Sequence, residues 1–324
     1  MTEKQKVALI TGADGQDGSF LAELLLSKNY SVHGLLRRGV NTPANISHLR
    51  ERITTSYGDM ATENHLCKLL HELQPDEIYN LAGQSDVAAS FDIPEYTGDV
   101  TGLGVVRLLE AAKTFSPHSK FYQASSSEIF GNAPAPQNEK TPFKARSPYA
   151  AAKIYAHHIT VNYRESYGMF TCCGILFNHE SERRGLNFVT RKISNAVARI
   201  SWGKQDTLEL GNTLSERDWG YSPDYMRAIW LMMQQETPDD YVIGTGETHS
   251  VQDFVEAAFN CVSLDWRNFV KTNTAGFIRP GEVNCLRADA TKAKRELGWV
   301  PDTKFERLVS LMVDSDLRLE EDHR

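Results

Sequence analysis

Residues 6–28, KVALITGADGQDGSFLAELLLSK, decide the fold of this 324-residue chain. The apolar run at 6–10 predicts a short buried strand, and residues 19–28 have the pattern of an amphipathic helix. Between them Gly12, Gly15 and Gly18 give the spacing G-x-x-G-x-x-G. This order is typical of a phosphate cradle, because glycines let a ligand approach the backbone and the helix N-terminus offers free N–H groups. A turn with a glycine C-cap is the structural alternative.

The following 100 residues alternate between predicted strands and predicted helices. Such alternation predicts an α/β fold with a Rossmann-type, doubly wound parallel sheet, whose ligands bind at the carboxyl ends of the strands. We therefore expect Asp59, Gln84, Ser85 and Ser126 to lie along one rim of this sheet. One predicted strand lies at 31–36, and three more have their carboxyl ends within 57–59, 77–85 and 119–125. The predicted helices between them lie at about 62–73 and 95–114.

The residues after the second predicted strand indicate which dinucleotide the cradle binds. An NAD-binding protein usually has an acidic residue here, which accepts hydrogen bonds from the ribose 2′-hydroxyl. This chain has Arg37 and Arg38 instead. A guanidinium pairs with a phosphate through a bidentate fork, so the two arginines favour NADP. The alternative is a solvated loop, as for most surface arginines.

Two pairs of side chains between residues 122 and 153 carry the expected chemistry. SPYAAAK (147–153) places Tyr149 and Lys153 one helical turn apart, where the lysine ammonium and a positive nicotinamide together would lower the tyrosine pKa for a role as base. YQASSSEIFG (122–131) supplies a hydroxyl at Ser126 and a carboxylate at Glu128, which can remove a proton next to a carbonyl. The alternatives are an exposed helical contact for the first pair, a turn hydroxyl for Ser126 and an exposed loop acid for Glu128.

Composition narrows the class of protein further. The net charge of −7 argues against a duplex nucleic-acid partner, which favours a basic surface. No apolar run reaches the roughly 18 residues that span a bilayer, and the N-terminus lacks the pattern of a signal peptide. The five cysteines show no metal-binding or disulfide spacing, so we expect buried thiols, no metal site and a cytoplasmic location.

Several segments match one family in the right order, namely TGADGQDGSFLAELLL (11–26), FYQASSSEIFG (121–131), RSPYAAAKIYAHHITVNYRESYG (146–168), GILFNHESERRGLNFVTRKI (174–193), GNTLSERDWG (211–220), RPGEV (279–283) and TKAKRELGW (291–299). Within them, QDG, NHES and RDWG are far more specific than the glycine spacing. On these motifs the chain resembles the extended short-chain dehydrogenase/reductase superfamily and, within it, the GDP-mannose 4,6-dehydratase family. The resemblance extends to about residue 317.

The resemblance implies a residue set for each ligand. For NADP it implies Gly12, Gly15, Gln16, Asp17 and Gly18 at the pyrophosphate, Asp59 and Met60 at the adenine, Arg37 or Arg38 at the 2′-phosphate, and Leu81, Gln84, Ser85, Tyr149, Lys153, His179 and Arg184 elsewhere in the site. For the GDP-sugar it implies Ser85, Ser126, Glu128, Asn178, Lys192, Arg217, Arg279 and Glu282. Structural pairing with Asp218 or Glu282 is the alternative for Arg217 and Arg279.

The resemblance also implies a reaction and an architecture. The reaction is a redox-neutral 4,6-dehydration of GDP-mannose, with Ser126, Glu128, Tyr149 and Lys153 as catalytic residues. We expect an NADP-binding domain at 1–177, with returning segments at about 215–246, and a smaller mixed α/β substrate-binding lobe at 178–324. A homodimer or homotetramer is also implied.

Departures from the family pattern surround the expected sugar site. The family usually has threonine at Ser126, a histidine or an apolar residue at Asp86, and proline at Glu182; the loop after Arg38 also differs from the family's. A GDP-D-glycero-D-manno-heptose 4,6-dehydratase is therefore the first alternative, and an NADP-dependent nucleotide-sugar reductase or epimerase is the second. A non-catalytic nucleotide sensor is a third, against which Tyr149, Lys153 and Glu128 argue.

Overall fold

The computed structural model describes residues 5–37, 39, 44–274 and 281–321. Within these ranges the largest sheet has seven strands in the order β11-β6-β5-β4-β1-β2-β3, and every neighbouring pair is parallel. The strands are β1 Val7–Thr11, β2 Ser31–Leu36, β3 Thr54–Tyr57, β4 Glu77–Asn80, β5 Lys120–Ser126, β6 Thr171–Leu176, β7 His179–Glu180, β8 Leu208–Glu209, β9 Glu216–Arg217, β10 Gly220–Tyr221, β11 Tyr241–Ile243, β12 His249–Ser250, β13 Val270–Lys271 and β14 Cys285–Leu286.

Helices cover both faces of this sheet, which explains why its central strands are buried along most of their length. All four residues of β4 and all six of β6 are buried. The helices are α1 Gln16–Ser27, α2 Glu63–Leu73, α3 Ala89–Asp92, α4 Pro94–Gly98, α5 Gly104–Phe115, α6 Pro148–Tyr167, α7 Val189–Ser201, α8 Ser222–Met233, α9 Val251–Asn260, α10 Thr291–Leu297 and α11 Phe305–Glu321.

The sheet order confirms the doubly wound α/β fold and locates its ligand crevice. From β1 the chain moves outward through β2 and β3, and then returns to the other side of β1 to form β4. In open parallel sheets, ligands bind at the carboxyl ends of the strands where the order reverses. The crevice therefore opens between Gly12, which follows β1, and Leu81, which follows β4.

The predicted elements differ from the observed ones in two places. The first helix begins at Gln16 rather than at residue 19, because the polar residues and glycine of the turn already adopt helical geometry. The helix predicted at 95–114 consists of α4, a π-helical turn at Asp99–Leu103, and α5. The strand predicted at 31–36 has the expected bounds.

Beyond residue 178 the chain builds a second hydrophobic core. Trp219, Phe254 and Phe305 pack against one another at its centre, between α7, α9 and α11. An ion pair between the buried side chains of Arg191 and Asp316 joins α7 to α11. Other segments return to the main sheet, where β11 pairs with β6 and α8 packs on α1.

The cysteine prediction is only partly correct. All five cysteines are free thiols, and Cys172 and Cys173 are fully buried in β6. Cys261, however, is exposed at the C-terminal end of α9, and Cys67 and Cys285 are half-buried. In the described ranges, no helix has the length and apolar character needed to cross a membrane.

We expect Gly18→Ala to destabilise the protein by about 1–3 kcal/mol, as overpacking does elsewhere. An added Cβ would lie 2.6 Å from the Cα of Ala13 and would overlap the carbonyl oxygen of Gly12, and both are backbone atoms. Thermal and urea unfolding measure the change.

Gly98→Ala is the matched control, because Gly98 is also helical and a Cβ there meets no atom within 4 Å. We expect that variant to be as stable as the parent, or more stable by about 0.5–1 kcal/mol. Equal stability of the Gly18→Ala protein and the parent would contradict the close approach.

Candidate active site

The turn between β1 and α1 is fixed by hydrogen bonds to the neighbouring strands. Gly12 has a φ of +70°, which favours glycine, and its N–H donates to the carbonyl oxygen of Leu35 at 3.0 Å. The Thr11 hydroxyl accepts from the N–H groups of Leu81 and Ala82 at 3.2 and 3.1 Å. The turn and the end of β4 are therefore held as one unit.

A groove of about 490 Å³ follows this turn. Its floor is open at Gly15, where an added Cβ would meet only the carbonyl oxygen of Gly12 within 4 Å. The N-terminus of α1 thus faces free space, as a bound pyrophosphate requires. Most residues expected at the dinucleotide line this groove, namely Gly12, Gly15, Gln16, Asp17, Gly18, Arg37, Asp59, Met60, Leu81, Gln84, Ser85, Tyr149, Lys153 and Arg184.

At the far end of the groove the Arg37 guanidinium is held in place. It donates to the Tyr96 hydroxyl at 2.8 Å, and both side chains line the groove. Burial raises the pKa of the nearby Asp14 carboxyl, and the charge of Arg37 partly offsets this. Arg38 lies outside the described residues, as does most of the loop that follows it.

The side chains of Gln16 and Asp17 point away from the turn, into a polar bracket. Asp17 accepts hydrogen bonds from His179 Nε2 at 2.8 Å, from the Ser222 hydroxyl at 2.7 Å and from the Gln16 amide at 3.0 Å. Gln16 also donates to the carbonyl oxygen of His179 at 3.1 Å and accepts from the Ser181 hydroxyl at 2.8 Å. We call these five side chains the Gln16–Asp17 bracket. His179 does not line the groove; it lines a separate cavity at the carboxyl ends of β5 and β6.

Charge strengthens the pair at the centre of this bracket. Burial raises the pKa of the Asp17 carboxyl, but His179, Ser222 and Gln16 outweigh burial and hold that pKa well below its usual range. Burial lowers the pKa of His179, yet the Asp17 carboxylate reverses this and the net shift is upward. The two groups therefore form an ion pair over a wide pH range.

A second cavity, of about 740 Å³, lies at the carboxyl ends of β5 and β6. All four residues with expected chemical roles line it, and each is at least nine-tenths buried. Ser126 ends β5, Glu128 lies in the 3-10 turn Ser127–Phe130, and Tyr149 and Lys153 lie on the first two turns of α6. Tyr149 and Lys153 line the groove as well, so the two spaces meet at this pair.

The predicted lowering of the Tyr149 pKa relies on the nicotinamide charge as well as on Lys153, and the protein groups alone do not produce it. Burial raises the pKa of Tyr149 to about 12, and the Ser126 hydroxyl opposes that shift through a hydrogen bond. Burial also lowers the pKa of Lys153 to about 8. The Lys153 ammonium donates to the carbonyl oxygen of Ala124 at 2.8 Å and lies 5.8 Å from the centre of the Tyr149 ring. Burial, which the sequence does not reveal, is the largest cause of this upward shift.

Ser126 and Glu128 both stabilise the turn after β5 and line the cavity. The Ser126 hydroxyl caps the 3-10 turn by accepting from the Glu128 N–H at 3.3 Å. Ser126 therefore also has the structural role, that of a turn hydroxyl, which was the alternative prediction. Glu128 is 7% exposed, which rules out the exposed loop acid. The turn thus places a carboxylate inside the cavity, next to the Ser126 hydroxyl that interacts with Tyr149.

Basic and polar side chains from the second core complete the cavity wall. Arg217 pairs with Glu282 at 3.3 Å, and Lys192 donates to the carbonyl oxygen of Glu209 at 2.7 Å. Arg184 pairs with Glu180 at 3.0 Å and stacks on the Phe188 ring. Asn178 also lines the cavity, and Arg279 lies outside the described residues.

Comparison with known proteins assigns this arrangement to a family. A family model described as GDP-mannose 4,6 dehydratase matches residues 9–312. The chain belongs to this family. It is 51% identical over 332 residues to GDP-mannose 4,6 dehydratase 2 of Arabidopsis thaliana, with 98% of this chain and 89% of that protein covered. The resemblance carried by the sequence motifs is therefore confirmed.

Solved structures share the fold at lower identity. A dTDP-glucose 4,6-dehydratase from Bacillus anthracis with NAD has a TM-score of 0.84 at 22% identity, covering 98% of each chain. The protein RMD from Pseudomonas aeruginosa with NADPH has a TM-score of 0.81 at 20% identity, covering 97% of this chain and 100% of that one. At such identities the likeness shows the fold alone.

Asn187, Tyr96 and Trp219 were not predicted as site residues in this GDP-mannose 4,6-dehydratase family member, and Asp86 was noted only as a departure beside the expected sugar site. Asp86 and Asn187 line both the groove and the cavity, and Tyr96 orients Arg37. Trp219 lines the cavity within the RDWG motif. The unusual Asp86 was the one available signal, because it departs from the family pattern.

We expect Asp17→Asn to cost about 2–3 kcal/mol near pH 6, because a largely buried charge then loses its partner. The raised pKa of His179 gives stability that is fully present below its ordinary value of 6.5 and is lost as pH rises through the folded-state pKa. The lowered pKa of Asp17 gives stability that is present above 3.8 and is lost as pH falls. Urea unfolding between pH 4 and 9 measures the difference, which should shrink on the alkaline side.

His48→Gln serves as the control, because the His48–Glu23 pair is more exposed, with about half of the His48 side chain and a third of the Glu23 side chain in contact with solvent. That variant should change stability by less than about 1 kcal/mol at every pH. A pH-independent difference for Asp17→Asn would show that the pair is not ionic.

Proposed function

We propose that this protein catalyses the redox-neutral 4,6-dehydration of GDP-mannose to GDP-4-dehydro-6-deoxy-D-mannose and water. One observation carries the proposal: Tyr149 and Lys153 line both the groove and the cavity, while Glu128 lies in the cavity beside Ser126. A reductase or epimerase needs the first pair but not the buried carboxylate. The Arabidopsis thaliana relative, named as a GDP-mannose 4,6 dehydratase, supports the choice of sugar.

We also propose that the groove holds NADP. The open cradle at Gly15 fits a pyrophosphate, and Arg37 at the end of β2 fits a ribose 2′-phosphate. The fold neighbours carry NAD in one case and NADPH in the other, so support for NADP over NAD comes from Arg37. When bound, the nicotinamide supplies a hydride acceptor for C4 of the sugar and later a hydride donor for C6.

Tyr149 takes the proton of the sugar 4-hydroxyl. Its buried hydroxyl is neutral at pH 7 in the protein alone, since its pKa is raised to about 12. Positive charge at the junction of the two spaces stabilises the phenolate, and Lys153 contributes such a charge. Ser126 hydrogen-bonds the sugar oxygen in the same step, because its hydroxyl already interacts with Tyr149.

Glu128 performs the elimination. Once C4 is a ketone, the proton on C5 becomes acidic, and the Glu128 carboxylate removes it. The protonated Glu128 then donates to the C6 oxygen, which leaves as water. C5 takes a new proton from solvent when hydride is added at C6. The turn capped by Ser126 holds the carboxylate in place for both transfers.

The rest of the GDP-sugar lies against the second core in this proposal. Arg217 and Lys192 suit a diphosphate, and Glu282 suits the N–H groups of guanine or a ribose hydroxyl. We therefore propose that the chain divides into a dinucleotide-binding domain at 1–177, with returning segments at about 215–246, and a sugar-nucleotide-binding lobe at 178–324. All these side chains line the same cavity.

We further propose a homodimer or homotetramer in the cytoplasm. The five free thiols support a reducing compartment. Exposed apolar side chains beside and on α6, Leu103 and Tyr155, support an interface between subunits.

Incubation of the purified holoenzyme with GDP-mannose in heavy water tests the reaction. We expect a product lighter by one water and carrying one deuterium at C5, because the proton that Glu128 removes leaves with the water and C5 takes its replacement from solvent. Mass spectrometry and NMR read both changes. A protein with bound NADP that leaves GDP-mannose unchanged would move the assignment to another GDP-sugar, with the manno-heptose first.

Glu128→Gln should lower the rate of dehydration by about 10²–10⁴-fold, because it removes one proton transfer and leaves the shape of the side chain. Oxidation at C4 does not need Glu128, so the near-ultraviolet absorbance of reduced cofactor should still rise once per active site. Tyr149→Phe is the matched variant. It should abolish both dehydration and the rise in absorbance. A Glu128→Gln protein with the parental rate would contradict the role of Glu128.

Arg37→Ala should weaken NADP binding by about 10–100-fold and leave NAD binding nearly unchanged, because only NADP carries the 2′-phosphate. Calorimetric titration of the cofactor-free protein with each dinucleotide measures both. Tyr96→Phe, which removes the acceptor for Arg37, should have a smaller effect of the same kind. Equal losses for NADP and NAD would show that Arg37 does not read the phosphate.

A further inference from the structure

One hydrogen bond joins the two loops that border the meeting point of the groove and the cavity. The Asn187 side-chain amide donates to Asp86 Oδ2 at 2.8 Å, across 101 positions of sequence. Both residues line the groove and the cavity, as Tyr149 and Lys153 do. A ligand that fills the groove up to Tyr149 therefore lies against this contact.

The Asp86 side of the contact is rigidly held. The second carboxylate oxygen of Asp86 accepts from the N–H of Ala89 at 3.1 Å, at the start of α3. The Gln84 amide donates to the Asp86 carbonyl oxygen at 2.9 Å and to the Thr97 hydroxyl at 3.1 Å. These bonds fix the direction in which Oδ2, the carboxylate oxygen that accepts from Asn187, points.

The Asn187 side has a firm base and an exposed tip. The base is anchored through Arg184, which pairs with Glu180 and stacks on Phe188. The tip is open, because Leu186 is 60% exposed and Asn187 is also exposed. Gly185 leaves room for the amide, since a Cβ there would lie 2.7 Å from Asn187 Oδ1. The tip can therefore move while its base stays in place.

We propose that the Asp86–Asn187 hydrogen bond is a clasp that retains the dinucleotide at the junction between turnovers. The proposal rests on the proposed function. A redox-neutral cycle returns the cofactor to its starting state, so the cofactor has no need to leave, whereas the sugar nucleotide must exchange on each turnover. Asp86 and Asn187 are thus positioning residues, and they take no part in proton transfer.

Release of NADPH from the holoenzyme, chased with excess NADP and followed by nicotinamide fluorescence, tests the clasp. Asn187→Ala should release NADPH about 3- to 10-fold faster, as expected for loss of one hydrogen bond. Asn187→Asp should release it faster still, because two carboxylates then face each other. The exchanged pair Asp86→Asn with Asn187→Asp restores a donor and an acceptor, and its release rate should return to within about 2-fold of the parent.

Leu186→Ala is the control for a general loosening of the tip, and it should release NADPH at the parental rate. Parental release from both Asn187 variants, or failure of the exchanged pair to slow release, would overturn the clasp. The measurement needs no sugar nucleotide. A protein that binds NADPH but does not dehydrate GDP-mannose would therefore refute the reaction alone, and an active enzyme with unchanged release in the variants would refute the clasp alone.

Discussion

The Asp17 carboxylate is the point on which the site depends. It lies in the first turn of α1, and it binds His179 and Ser222, which come from the far half of the chain. The groove is formed largely by the first half, and the outer wall of the cavity by the second. A link at their common edge helps to fix the relation between the two spaces. The Gln16–Asp17 bracket supplies that link with buried charge and hydrogen bonds, which specify one geometry where apolar packing alone would allow several.

Local pattern was sufficient to predict the fold. The bounds of β2 and the order of strand, glycine turn and helix at the N-terminus follow from short-range periodicity and glycine placement. The π-helical turn at Asp99–Leu103 was not predictable in this way, because its residues continue the apolar pattern of a regular helix. The four chemical residues were also found from the sequence, since their spacing is tied to the end of β5 and the start of α6.

Long-range contacts and burial were beyond the reach of the sequence. Gln16 and Asp17 lie in a cradle motif, yet their side chains bind residues more than 160 positions away. The exposure of Cys261 and the near-complete burial of Glu128 reverse what each residue type suggests alone. Such outcomes depend on which elements pack together in the folded chain. The upward shift that burial gives the Tyr149 pKa in the protein alone was not predicted, for the same reason.

The raised pKa of Tyr149 connects the chemistry to cofactor retention. Bringing a pKa of about 12 to neutrality takes about 7 kcal/mol of preference for the phenolate, at about 1.4 kcal/mol per unit. Lys153 is directed at the carbonyl oxygen of Ala124, and burial weakens its own hold on a proton. The protein groups therefore leave Tyr149 protonated at neutral pH, and in the proposed mechanism a positively charged ligand at the junction favours its phenolate. In the proposed mechanism, loss of the cofactor would also leave Tyr149 protonated, so slow release would serve both the hydride and the proton chemistry.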